Sequence, residues 1–392
     1  MNRKPTILAV TQDCAALREV RMVLPLSVLR EQGHILDYAV TDTSLGGVPE
    51  DFAFDVLWLQ RIEDPLFVEQ SVQCVGQHFV YDLDDLLLAR PSYTRFRCEF
   101  PSGVADALRQ CGVLTVTSQR LTSLLEQYSG LSLSSKAVVC PNGCRFPATA
   151  RPPTKPAGIL WSSSDYAALT ASREEIFAAL SSFAGRHDLP LYCFGYLDES
   201  IKAGFPRVID CGFVSFWHHK LRLDTFPTMI GVAPLETRAD RETQDFINGK
   251  SDVKLVDFIG FGHPCVCSYA LPYVDTDLTV GTKVENTKDA WSAALEEVYA
   301  SKWKDIAREQ EIVISSRDVE VFVEGSWLQA IRKVQMPSPV SISRLRDARS
   351  LSLREEAHAI LSAVVTATPR LRKLRSYFPK RFRTAVKRLL NS

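Results

Sequence analysis

The chain lacks net charge: 46 Lys and Arg are matched by 46 Asp and Glu over 392 residues. No overall field points to nucleic acid or to a membrane surface. It also lacks any apolar run near the ~18–20 residues that a membrane span needs. A secretory leader is not visible, because Met1-Asn2-Arg3-Lys4-Pro5 leads straight into a short apolar strand, Thr6 to Val10; that strand is too short for a leader's apolar region. The ten cysteines form no short-domain framework, so reduced thiols and a cytoplasmic setting are expected. Cys140-x3-Cys144 and Cys265-x-Cys267 are read as buried or loop thiols, since no second pair at ligand spacing accompanies them. No Ser-His-Asp or Cys-His set has supporting context, and His218, His219 and His263 are read as packing or surface residues.

What is present is alternation. Apolar strand patterns at Thr6–Thr11, Ile35–Val40, Asp55–Gln60, Phe79–Leu83, Val113–Thr117 and Lys136–Cys140 are separated by helical patterns. After Arg151-Pro-Pro-Thr-Lys-Pro156, a proline-stiffened linker, the alternation restarts. Strands are predicted at Gly158–Ser162, Pro190–Phe194, Val208–Phe213, Met229–Pro234, Pro264–Ser268 and Leu278–Gly281, with helices including Lys250–Phe261. Continuous apolar strands between helices mean parallel sheets covered on both faces. The predicted fold is therefore α/β, with two doubly wound Rossmann-like domains facing a cleft. Residues 1–148 form the first, 149–157 the linker and 158–335 the second, followed by a helical, basic tail over 336–392.

The most informative stretch runs Asn248-Gly-Lys-Ser-Asp-Val-Lys-Leu-Val-Asp257. A Gly turn opens a helix, Ser251 and Asp252 stand as cap or first-turn residues, and Lys250, Lys254 and Asp257 share one face. A helix start has free amides and a positive dipole end, so two lysines beside it suit a diphosphate. A surface helix with solvated lysines fits the same spacing.

This stretch, continued by Gly262-His-Pro-Cys-Val-Cys-Ser268, resembles the donor-binding segment of retaining GT-B glycosyltransferases of family 4. Many of these carry Gly-Lys-Ser-Asp-x-Lys-x-x-Glu followed by Gly-x-Pro-Val-x-x-Ser. Asp257 stands where the second Glu of the family's pair is usual, and the first would fall at Gly249, where it is missing. Val80-Tyr-Asp-Leu-Asp-Asp-Leu86, Val116-Thr-Ser118, Val139-Cys-Pro-Asn-Gly143 and Gly231-Val-Ala-Pro-Leu235 are similar to other family segments in the same order. The family's Gly-Arg…Lys-Gly turn after the second domain's first strand is absent at Ile159-Leu-Trp-Ser-Ser-Ser164.

The resemblance implies transfer of a sugar from a nucleotide-diphosphate sugar to a glycan or lipid-linked acceptor, with retention. Neither metal nor other cofactor is expected, since the nucleotide sugar is a substrate. The donor would lie against Gly249, Lys250, Ser251, Asp252 and Lys254, with Asp257 on the ribose. Acceptor-side candidates are Arg21, Asp82, Asp84, Asp85 and Ser118. The Asp82-x-Asp84-Asp85 cluster also admits structural capping or a divalent metal, Arg21 a solvated helix charge, and Ser118 plain capping. Two rivals stand beside a transferase: a nucleotide-sugar epimerase of the same fold, and a non-catalytic sugar- or nucleotide-binding module.

The tail stands apart from the balanced remainder. Residues 369–392 hold nine Lys or Arg, from Arg370 to Arg388, and no acid, with Leu371, Leu374, Phe378, Phe382, Ala385 and Leu389 interleaved. Such a helix suits an anionic membrane surface, so a peripheral position on the inner face is expected; packing back on the protein or an oligomer contact fits equally. Nucleic acid is not expected, because no aromatic stacking platform or base-reading motif accompanies the charge.

Overall fold

A computed structural model describes residues 3–12, 15–92, 98–163 and 169–348. The basic tail and the helix expected over Leu351–Thr366 lie outside the described residues.

Six parallel strands form the first sheet: β1 (Thr6–Thr11), β2 (Asp37–Thr41), β3 (Val56–Gln60), β4 (Phe79–Leu83), β5 (Val113–Val116) and β6 (Ala137–Val139), in the order β2-β1-β3-β4-β5-β6. Their side chains alternate between two cores. Leu8, Val10, Leu57 and Leu59 pack on one face under the helices Pro65–Val75, Pro101–Gln110 and Gln119–Ser129, whereas Ile7, Ala9, Val56 and Trp58 pack on the other. Burial on both sides is why these strands read as continuous apolar runs.

The second sheet repeats the plan with β7 (Ile159–Ser163), β8 (Leu191–Gly195), β9 (Val208–Gly212), β10 (Ile230–Ala233), β11 (Cys265–Ser268) and β12 (Thr282–Val284), in the order β9-β8-β7-β10-β11-β12. The strand order reverses between β1 and β3 in the first sheet and between β7 and β10 in the second. Open α/β sheets bind ligands outside the carboxyl ends of the strands at such a reversal.

Three departures from expectation stand out, two of them with local causes. The last strand begins at Thr282, because Gly281 holds φ at 75°, outside the extended region. The helix expected over Lys250–Phe261 runs Val253–Gly260. Gly249 and Lys250 instead finish the preceding helix, Arg241–Asn248, where their amides donate to Asp245 and Ile247 carbonyls. The third departure is a return crossing. Residues 319–334, grouped by sequence with the second domain, pack on the first sheet, where Trp327, Ile331 and Val334 join Ile7, Val56 and Val80.

Pro25 shapes the entry helix. It has no amide to donate to the carbonyl of Arg21, and the chain runs as a wide π turn over Glu19–Val23 before the regular helix Leu24–Glu31. The indole of Trp327 donates to that carbonyl instead, at 3.1 Å. The sequence detail that interrupts the helix thereby ties the returning C-terminal segment to the first domain.

Candidate functional site

The carboxyl-end loops of the first sheet carry an ionic cluster. Arg61 follows β3 in the left-handed region, at φ 51°, a conformation that costs energy for a residue with a Cβ. That backbone turn sets the guanidinium between Asp84 and Asp85, 3.6 Å from each carboxylate. Asp84 is buried, and one of its oxygens has no hydrogen-bond partner. Burial drives its pKa up to about 6, with Arg61 opposing and Asp85 adding to the rise.

Asp82 points the other way. Its two oxygens receive Arg21 Nε at 3.1 Å and Nη2 at 2.5 Å, and Thr115 adds a hydroxyl at 2.7 Å. The remaining Arg21 nitrogen donates to the Cys140 carbonyl and to Asn142 Oδ1, and the guanidinium lies 5.0 Å from the Trp327 ring. Arg21 is thus wholly buried with each guanidinium nitrogen hydrogen-bonded, not a solvated helix charge. Asp82 therefore pairs with Arg21, whereas Asp84 and Asp85 share Arg61.

Across the gap, the turn 248–252 of the second domain meets these loops. Lys250 Nζ lies 3.5 Å from Asp85 and 4.5 Å from the Phe246 ring. Asn142 donates to Ser251 Oγ at 2.9 Å, joining the Arg21 network to the second domain. Arg120 donates to the carbonyls of Asn248 and Lys250 and pairs with Asp275 at 2.8 Å. Gly249 faces Leu86 and Leu121, so a Cβ there would approach them at 3.2 and 3.4 Å.

One helical turn on, Lys254 is half-buried with its Nζ 6.0 Å from the Trp161 ring. Among the described residues it has no salt-bridge partner. Burial, then the nearby Lys250 charge, lowers its pKa to about 8. Asp257 is held by Lys220. Beside them, at the carboxyl end of β7, Ser162 Oγ meets His219 Nε2 at 3.1 Å. Burial and the Lys220 charge lower the His219 pKa to about 4, so the imidazole is neutral at ordinary pH.

Glu236, just past β10, fixes the approach to this corner. Its carboxylate is fully buried and receives the amides of Thr170 and Ser172 at 2.9 Å each and the Ser172 hydroxyl at 2.7 Å. The amides of Thr237 and Arg238 follow at 3.0 Å each. Burial alone would raise its pKa, but the bonds from Ser172, Arg238 and Thr237 outweigh that and hold it below the ordinary 4.5. Its stabilisation is therefore complete above pH 4.5 and lost as the pH falls through the lower folded value. Glu236→Ala leaves these donors without their acceptor, and we expect it to cost about 2–4 kcal/mol at pH 7. The difference from the parent should shrink on acidification; urea melts at two pH values measure it, and an unchanged difference removes Glu236 as the clamp.

Each residue named from sequence has a definite place. Lys250, Ser251 and Asp85 stand at the domain junction, with Asp84 next along the chain. Lys254 and Asp257 lie deeper, along the helix Val253–Gly260. Asp252 provides no side-chain cap and instead receives Thr276 at 2.7 Å and Arg317 at 3.2 Å. Ser118 caps Gln119–Ser129 by accepting the Leu121 amide at 3.2 Å. Sequence reading missed Arg61, Arg120, Glu236 and the Ser162–His219 contact. Their partners lie far along the chain, and no short spacing announces them.

Two Rossmann-like α/β domains whose strand carboxyl ends meet across an interdomain seam constitute the GT-B fold. Neither a protein-family model nor a curated protein matches the sequence. Solved structures do match, at low identity. HepE of Anabaena, crystallised with UDP and glucose, is 12% identical with a TM-score of 0.56, over 84% of this chain and 98% of that one. A glycosyltransferase from Rickettsia africae is 12% identical with a TM-score of 0.59, over 86% and 100%. The sucrose-phosphate synthase of Thermosynechococcus elongatus is 11% identical with a TM-score of 0.59, over 84% and 99%. The likeness extends over both domains and identifies the fold as GT-B.

Proposed function

We propose that this chain is a glycosyltransferase that takes a sugar from a nucleotide-diphosphate donor and passes it to a glycan or lipid-linked acceptor. The observation that carries the reading is Lys254: a half-buried ammonium without a salt-bridge partner among the described residues, beside Lys250 and at the carboxyl-end corner of the second sheet. Burying a cation is unfavourable unless an anion meets it, and a diphosphate would supply one. Lys250 would exchange Asp85 for the same group. As the bond from sugar to phosphate breaks, the diphosphate gains charge, and ammonium groups already in place favour that state.

Asp257 would face the ribose, and Asp84, Asp85 and Ser118 the acceptor. Arg21 and Asp82 would act beneath them by holding Asn142 against Ser251. Retention of configuration, independence of metal or other cofactor, and a cytoplasmic, membrane-peripheral setting reached through Arg370–Arg388 belong to the same proposal. The HepE structure with UDP-glucose supports UDP as the first donor nucleotide to try.

Gly249 favours keeping a second reading. The position where the family has a donor-sugar Glu faces Leu86 and Leu121, with little space for a longer side chain, which suits a module that binds without transferring. Incubation with a panel of nucleotide sugars, with and without glycan acceptors, and mass analysis of products separates these. Transfer requires acceptor. Epimerised donor formed without acceptor, or binding with no turnover, would each replace the transferase reading.

A further inference from the structure

The turn 248–252 of the second domain is held by a side chain of the first. A helix leaves its last carbonyls without amide partners, and Asn248, the last residue of the helix Arg241–Asn248, gives its carbonyl to Arg120 Nε at 2.5 Å. Arg120 Nη2 donates to the Lys250 carbonyl at 3.1 Å, and Nη1 reaches both the carbonyl and the carboxylate of Asp275, at 3.0 and 2.8 Å. All three guanidinium nitrogens are therefore committed across the domain junction, on a side chain only 9% exposed. The rigid fork fixes the spacing of the groups it holds in a way that a single point charge does not.

Arg120 stands in an unfavourable place for its own helix. Ser118 caps Gln119–Ser129, so Arg120 is the second helical residue, where the positive end of the helix opposes a cation. The last carbonyls of Arg241–Asn248 offset that penalty, because the negative end of a helix attracts a cation. The same first-domain helix meets this part of the second domain twice more. Tyr128 donates to Asp245 at 3.1 Å, and Leu121 lies against Gly249. Asn142, from another first-domain loop, holds Ser251 at 2.9 Å. Lys250 and Ser251 thus sit on a turn whose shape is set by residues of the other domain.

We propose that Arg120 is a positioning residue for the nucleotide donor: the first domain shapes the turn that receives the diphosphate, so the donor site is complete only while the two domains are in contact. This rests on the reading of Lys250 and Ser251 as diphosphate contacts. It goes beyond that reading by making donor affinity depend on a first-domain residue that acts through the turn and not on the donor.

Isothermal titration of the full chain with UDP tests it, with amide exchange of the unliganded protein beside it. Arg120→Met, which keeps an aliphatic stem, should weaken UDP binding about tenfold, the scale of a lost preorganisation. It should also speed exchange at 249–252 while β10 and β11 keep parental rates. Arg120→Lys should recover part of the affinity, since an ammonium is a point charge and cannot reproduce the fork. Asp275→Asn leaves the carbonyl bonds in place and should stay within about twofold of the parent. Where the parent binds UDP, parent-like affinity in Arg120→Met would overturn this proposal alone. Faster exchange spread over the whole second domain would do the same, being the sign of a general loss of stability. An equal loss in Asp275→Asn would also overturn it, by reducing Arg120 to one half of an ion pair. A parent protein that binds no UDP would remove the donor reading itself, and this proposal with it.

Discussion

Arg21→Ala should lose about 3–5 kcal/mol of unfolding free energy, because it strands a buried carboxylate without its cation. Asp82 would keep only the Thr115 hydroxyl as a side-chain donor, and the Cys140 carbonyl and Asn142 Oδ1 would lose theirs. The vacated space also lies beside the Trp327 ring, the point where the returning segment joins the first sheet. Urea unfolding gives the number. The double variant Arg21→Ala/Asp82→Ala should lose much less than the sum of the two single losses, since each single change leaves one charge unmatched and the double leaves none. Additive losses, or a single loss under ~1 kcal/mol, the range of an exposed pair, would mean that the buried pair does not organise this region. A second consequence follows along the chain of contacts. Asn142 receives Arg21 and donates to Ser251, so the variant should also loosen the turn 248–252, read as faster amide exchange there than in β7 or β8.

That network was only half legible. The strand–helix alternation, the linker and the doubled sheet follow from local apolar patterning, which the sheets enforce by burying both faces of their strands. Pro25 was visible as an interruption of the first helix. Its effect was not, because the carbonyl it leaves unmatched finds Trp327, 306 residues later. In the same way Arg21 could be placed on a helix but not paired, and Glu236 has no salt-bridge partner among the described residues and no motif spacing, only backbone amides and the Ser172 hydroxyl brought to it by loops. The Gly-Lys-Ser-Asp stretch was legible as a turn before a helix, yet the turn starts the helix later than its spacing suggests. Gly249 and Lys250 close the helix before it, and Asp252 stands at the cap position with its carboxylate taken by Thr276 and Arg317 instead of by the helix amides. Local propensity fixes which elements form; where one ends is decided by partners that only tertiary structure provides.

Lys254→Met should weaken nucleoside-diphosphate binding about 10–100-fold, the loss expected when charge-assisted contacts to an anion are removed. The unliganded protein should be no less stable for the change. The two outcomes separate a ligand site from a structural lysine, because methionine keeps the aliphatic stem beside Trp161 while removing a cation that burial disfavours. The pH dependence supplies an independent check. The folded amine titrates at about 8 and an unfolded lysine at 10.5. Between those values the unfolded chain holds the extra proton, so stability of the unliganded protein rises with pH across that window. Diphosphate needs the protonated amine, so affinity should fall as the pH rises past 8, with the midpoint displaced upward by the bound anion's own pull on the proton. Isothermal titration with UDP from pH 7 to pH 10 reads both the affinity and its slope. In Lys254→Met the slope above pH 8 should flatten. Parent-like affinity in the variant, or a slope that persists without the amine, would move the anion away from this corner of the second domain and leave Lys254 as a half-buried charge with no ligand to account for it.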